Sequence, residues 1–184
     1  MVLCAVVALC GCASQPYRDT KDGKFSGAVD VRWIKNDYFL FVPNKDDPLT
    51  FTRATGQTIR PGSMYTDGGS IPRFLWGVRG LSPWGYAPAY IVHDWLFEAQ
   101  HCGYAPDNRY TFPQSADILA EGLKAIMEAE PPVRNYFVFD AVYEAVKSPI
   151  AKRLWEGGSC KPPIASLKGF EGEQGELLMT IRFK

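Results

Sequence analysis

FSGAVDVRWIKNDYFLFVPNKDDPLTFTRATGQTIR, residues 25–60, is the stretch in which the fold of this chain is decided. Val29-Asp30-Val31-Arg32-Trp33 alternates apolar and polar side chains, the period-2 pattern of a strand with one buried face. Tyr38 to Val42 is a continuous apolar run, and Thr50-Phe51-Thr52 is rich in β-formers. Asn36-Asp37, Pro43-Asn44 and Thr55-Gly56 punctuate these runs with turn residues. The pattern predicts a small antiparallel β-meander.

After Pro61 the character changes. Residues 65–86 hold Gly68, Gly69, Pro72, Gly77, Gly80, Pro83 and Gly85 and read as one long irregular segment, a kind often functional in compact domains. Residues 87–100 are nearly all apolar, and 113–128 set Ala116, Leu119, Leu123, Ile126 and Met127 on one helical face. Residues 133–146 follow Pro131-Pro132 and carry a stripe of Tyr136, Phe139, Tyr143 and Val146. Residues 149–155 are expected to add a short helix before Gly157-Gly158, and 177–183 to return as a strand. Strands first and helices after predict an α+β fold, an N-terminal antiparallel β-meander packed on a bundle of three to four helices.

At 184 residues the chain has room for one domain with a proper core. Its hydrophobic fraction of 46% and charged fraction of 22% are those of an ordinary globular protein. The formal net charge is zero, so no basic excess is present to neutralise a phosphate backbone. This argues against nucleic acid as a partner.

Outward from the fold, the N-terminus carries an address. Val2 to Leu9 is wholly apolar, and the first charge in the chain is Arg18. Eight apolar residues are too few to cross a bilayer, which takes about 20, but they suit the hydrophobic region of a secretory signal. Leu9-Cys10-Gly11-Cys12 resembles a lipobox, in which lipid is attached to the cysteine and the chain is cut before it. That reading divides the chain into a signal peptide at 1–11, a polar tether at 12–24 beginning with lipidated Cys12, and a single domain at 25–184. No Lys or Arg precedes the apolar run, and Cys10 departs from the usual Ala or Ser. Ala13 and Ser14 lack the aspartate associated with inner-membrane retention, which points to the periplasmic face of an outer membrane. Export would place Cys102 and Cys160 in an oxidising compartment, where they either pair or remain two free thiols.

The chemistry concentrates at His93-Asp94. No other residue from Pro88 to Phe97 is charged, and an ionised carboxylate buried without a partner costs several kcal/mol. Asp94 is therefore expected to be paired, metal-bound or at a cleft. His93 sits one residue away on the same predicted helix, so both can border one site. Upstream, Thr66-Asp67-Gly68-Gly69-Ser70 offers flexible backbone for an ion or oxyanion. Downstream, Asp117 stands on the next helix, either facing His93 or serving the helix dipole from the first turn. The bland rival for His93-Asp94 is a satisfied core pair, with Arg73 as the partner of Asp94. His101 and Cys102 with His93 form a further zinc candidate, though at no usual zinc spacing.

Residues 66–76 (TDGGSIPRFLW), Ala87-Pro88-Ala89, His93-Asp94-Trp95-Leu96-Phe97 and Ala116-Asp117 resemble a bacterial and phage family catalogued as domain of unknown function 1353. The likeness covers residues 25–155 and implies a fold but no activity.

The order of glycine loop, His-Asp helix and later helical Asp is also similar to secreted phospholipase A2. That resemblance implies His93 as general base, Asp94 as calcium ligand beside Gly68 and Gly69 in the calcium loop, and Asp117 as the acid orienting His93. Calcium takes hard oxygen ligands and would stabilise the oxyanion formed as water attacks an ester. Ala89 and Leu96 stand where those enzymes carry half-cystines, and Phe97 where they carry a tyrosine. Two functions follow: a membrane-anchored ester hydrolase acting on phospholipid, or a non-catalytic envelope or phage-derived module in which His93-Asp94 is structural.

Overall fold

The spine of the sheet is β1 (Lys24–Ile34), the longest strand. The structure, a computed structural model, describes residues 13–34, 38–66, 85–160 and 176–183. β2 (Tyr38–Pro43) pairs antiparallel with β1 from Val29↔Pro43 to Ile34↔Tyr38. β3 (Thr50–Thr52) pairs with the start of the same strand, from Lys24↔Thr52 to Ser26↔Thr50. β4 (Thr58–Ile59) extends β3, and β5 (Met64–Thr66) extends β2. The expected C-terminal strand is β6 (Glu176–Phe183), which also lies antiparallel on β1. The order is β4-β3-β1-β2-β5, with β6 on β1 as well.

The alternation in residues 29–33 thus makes the antiparallel sheet it predicts, while the strand order differs from that of a plain sequential meander. β3 pairs with β1 and not with its sequence neighbour β2. The cause is residues 44–49, which fold back onto Ala28. The amides of Asn44 and Leu49 both donate to the Ala28 carbonyl, at 3.1 and 2.9 Å, and the Ala28 amide donates to the Asp47 carbonyl at 2.7 Å. Gly27 permits this step, since its φ is +85° and a Cβ there would fall 2.2 Å from the Pro48 carbonyl oxygen.

Four of the five described α-helices begin at a side-chain cap, and the second opens on a proline instead. α1 (Gln15–Asp19) is capped by the Ser14 hydroxyl, which accepts from the Tyr17 amide at 3.2 Å. α2 (Ala87–Cys102) opens with Pro88 and ends at Gly103 in the left-handed region. α3 (Phe112–Ala129) starts with a capping box between Thr111 and Gln114. The Pro131-Pro132 pair expected to open the next helix makes a short 3₁₀ turn instead. α4 (Tyr136–Val146) begins after Asn135, whose side chain accepts from the Val138 amide at 3.1 Å. α5 (Pro149–Gly157) is capped by Ser148.

The core lies between sheet and helices. Val29 and Val31 of β1 are buried with Phe51 of β3, Leu96 of α2, Leu119 and Leu123 of α3 and Phe139 of α4. A Cβ on Gly122 of α3 would sit 3.1 Å from the Ala89 Cβ and 3.2 Å from the Phe25 ring, so this glycine lets α3 approach α2 and the sheet together. Arg53, after β3, forms a two-pronged ion pair with Glu121 of α3 at 2.9 and 2.6 Å.

The stretch read from sequence as a tether carries α1, and α1 is docked. Tyr17 is buried against the rings of Tyr136 and Phe139, at 4.8 and 4.9 Å between centroids. Its hydroxyl donates to Glu128 at 2.6 Å, and Lys124 donates to the Tyr17 and Thr20 carbonyls. Residues 1–12, which include Cys12 and the apolar signal-like run, lie outside the described residues.

Candidate functional site

The candidate site is built on α2, and the composition of that helix explains its position. Ala87 to Val92 are buried, with Trp95, Leu96 and Ala99 further along, so α2 is immersed on most of its circumference. Any polar group on such a helix is drawn into the interior with it. His93 is buried with 7% of its surface exposed, and its neighbour Asp94 is half-buried.

His93 Nδ1 lies 3.9 Å from Asp94 Oδ1, close enough for charge attraction and too long for a hydrogen bond. The other ring nitrogen, Nε2, is buried and has no hydrogen-bond partner among the described residues. One face of the imidazole meets the Phe97 ring at 5.0 Å between centroids. A turn earlier, the Tyr90 hydroxyl is also buried without a hydrogen bond to any described residue. Burial pushes the Tyr90 hydroxyl well above the ordinary tyrosine range, with Tyr86 and the Asp94 carboxylate adding to the shift. Tyr90 is therefore a neutral hydroxyl at any physiological pH. Tyr86, in contrast, donates to the Val133 carbonyl at 2.5 Å.

Two unsatisfied buried polar atoms one helical turn apart need explaining, because most buried polar groups are paired with protein or water. Tyr90 did not emerge from the sequence, although its i, i−3 spacing from His93 was the available signal. An aromatic in an apolar helix looks like core, and here it is core with a polar tip.

Asp117 is on α3, exposed, and accepts from the Tyr143 hydroxyl of α4 at 2.9 Å. No hydrogen bond joins it to His93. Gly68 and Gly69, with Asp67, Arg73, Trp76 and Trp84, lie outside the described residues.

Cys102 and Cys160 form a disulfide that ties the end of α2 to the segment after α5. Glu98 and these two sulfurs are the described group whose spacing suits a metal ion, and the disulfide occupies both sulfurs. His101 Nε2 lies 3.1 Å from both the Leu154 and Trp155 carbonyls near the end of α5. The zinc candidate therefore dissolves into a disulfide and a helix-end cap. For calcium, six to eight oxygen ligands are needed. Of the calcium ligands that the phospholipase resemblance implies, Asp94 is among the described residues and Gly68 and Gly69 are not.

Residues 46–131 match the model of a family described as a protein of unknown function (DUF1353). The matched stretch runs from before β3 to just beyond α3 and so includes His93, Asp94 and Asp117. No curated protein and no solved structure matches the chain.

Proposed function

We propose that this chain is a lipid-anchored envelope protein whose α2 site hydrolyses an ester, with His93 as general base and phospholipid as the substrate class. The observation that carries the reading is the buried His93 Nε2 without a partner. A general base must keep one nitrogen open for the proton it removes. In this reading Nε2 takes a proton from water, and the water oxygen attacks the ester carbonyl. The proton later passes to the departing alkoxide. Asp94, 3.9 Å from Nδ1, stabilises the imidazolium formed between these steps. Tyr90, held neutral, donates to the carbonyl oxygen as charge develops on it. Calcium bound by Asp94 and the backbone of Gly68 and Gly69 would add Lewis-acid stabilisation of that oxygen.

The anchor half of the reading is supported by the apolar Val2 to Leu9 run and the lipobox-like Leu9-Cys10-Gly11-Cys12. The Cys102–Cys160 disulfide fits an oxidising compartment. The outer membrane, on its periplasmic side, is the proposed location.

A second reading has an observation of its own. Asp117 accepts from Tyr143 of α4, and no described hydrogen bond runs between it and His93. This favours a non-catalytic envelope module that binds a ligand or protein through the same face. A phospholipid hydrolysis assay with and without chelator, comparing the wild type with His93→Ala, separates the two. Loss of activity in the variant is expected for the hydrolase. Equal rates in both proteins leave only the binding module.

A further inference from the structure

The amino-terminal segment does more than connect. Ser14 lies at the junction of the expected anchor and the folded domain, and its hydroxyl donates to Asp140 Oδ1 at 2.6 Å across 126 positions. Arg18 closes the same corner from the other side by donating to the Ala13 carbonyl and, at 2.7 Å, to Gln15. Tyr17 then locks α1 to α3 and α4. A free tether over residues 12–24 would let the domain turn in any direction on a bilayer. This arrangement removes that freedom, because the covalent reach from Ser14 to lipid on Cys12 is two backbone steps of at most about 3.8 Å each.

The position of the clamp determines which surface lies next to the lipid. One turn before Asp140 on α4 is Phe137, 70% exposed, and just ahead of α4 the 3₁₀ turn ends on Val133, 36% exposed. A phenylalanine that exposed, beside the root of an acyl anchor, has a ready apolar environment in the bilayer interface. Ile150 and Leu154 of α5 are as exposed, at 71% and 62%, but no contact links α5 to the amino-terminal segment among the hydrogen bonds and ring contacts described.

We infer that Ser14, Tyr17 and Asp140 form an orienting strut that presents the amino-terminal end of α4 to the membrane, with Phe137 seated in the lipid interface. The inference rests on the anchor reading of Cys12 and is independent of whether the α2 site is catalytic. It commits to a bilayer as the occupant of the Phe137 surface.

The test uses the full chain, processed in a bacterial host and reconstituted into phosphatidylethanolamine/phosphatidylglycerol vesicles. Mass spectrometry of the amino-terminal peptide establishes lipid on Cys12. A spin label is attached at Phe137→Cys in one sample and Leu154→Cys in another. Its collision rates with lipid-dissolved oxygen and with a water-soluble nickel chelate are then compared. The expected oxygen-to-nickel ratio is several-fold higher at 137 than at 154. Adding Asp140→Ala, which removes the Ser14 bond of the strut, should bring the ratio at 137 down toward that at 154 while lipidation is unchanged. Lipid on Cys12 with equal ratios at both sites overturns the orientation alone. No lipid on Cys12 overturns the anchor and the orientation together.

Discussion

The Tyr143 hydroxyl donates to Asp117 Oδ1 at 2.9 Å, joining α4 to the first turns of α3. Burial, followed by this bond, pushes the Tyr143 hydroxyl up to about 12. A tyrosine whose folded value lies above its unfolded value of 10.0 contributes stability that is full below pH 10 and lost as pH rises toward 12. Asp117→Asn should therefore reduce the alkaline loss of stability between pH 10 and 12, measured as melting temperature against pH. On the proposed hydrolase reading, in which Asp117 takes no part in the chemistry, hydrolysis at neutral pH should be unchanged.

Tyr90 offers a cleaner probe of the α2 site. Its hydroxyl makes no hydrogen bond among the described residues, so Tyr90→Phe removes a buried polar group and leaves none of them unpaired. The variant should be as stable as the wild type or more so, by up to about 1–3 kcal/mol, in urea unfolding. Its kcat should fall while KM changes little, as expected when a donor to a developing oxyanion is lost. Unchanged kcat would remove Tyr90 from the mechanism.

Asp107 makes acid stability asymmetric. It is buried in the 3₁₀ turn after α2 and accepts from Trp95 Nε1 at 2.7 Å. Burial raises its carboxyl above the ordinary 3.8, with the Trp95 bond and Arg109 acting in the opposite direction. An acid with a raised folded value contributes stability that is complete below pH 3.8 and declines as pH rises through the folded value. Asp107→Asn keeps an acceptor for Trp95 and has no proton to lose. Relative to wild type, the variant should gain stability as pH rises from 4 toward neutrality, in denaturant titrations at stepped pH.

The Cys102–Cys160 disulfide closes a loop of 58 residues that contains α3, α4 and α5. Chain entropy assigns such a closure about 4 kcal/mol of stabilisation. Reduction with dithiothreitol should lower the melting temperature by several degrees, and Cys102→Ser should reproduce the shift. The amide exchange of α5 should rise first, since the bridge and His101 both secure its end.

Much of the architecture was legible in residues 25–60 and in the helical stripes beyond residue 87, because periodicity records which faces are buried. Val29 and Val31 are buried as their alternation requires, and Leu119, Leu123 and Met127 are buried on α3 as their spacing requires. The strand order was not legible. It depends on residues 44–49 folding onto Ala28, and this is a matter of backbone hydrogen bonds that any residue can make. The start of α4 moved from the proline pair to Asn135 for a similar reason, since a side-chain cap won over ring geometry.

At the candidate site, the His93-Asp94 pair could be found from sequence because two ionisable groups interrupt an apolar helix. That contrast is chemical and local. Which nitrogen of His93 is left open, whether Asp117 reaches it, and whether the Tyr90 hydroxyl one turn away finds a partner all depend on what the other elements pack against α2. The α+β class, the helix faces, the lipobox-like motif at Cys12 and the unusual pair on α2 are all written in the order of residues along the chain. Only the tertiary structure joined Tyr143 to Asp117, Cys102 to Cys160 and Ser14 to Asp140, because each of those contacts spans positions that no local periodicity relates.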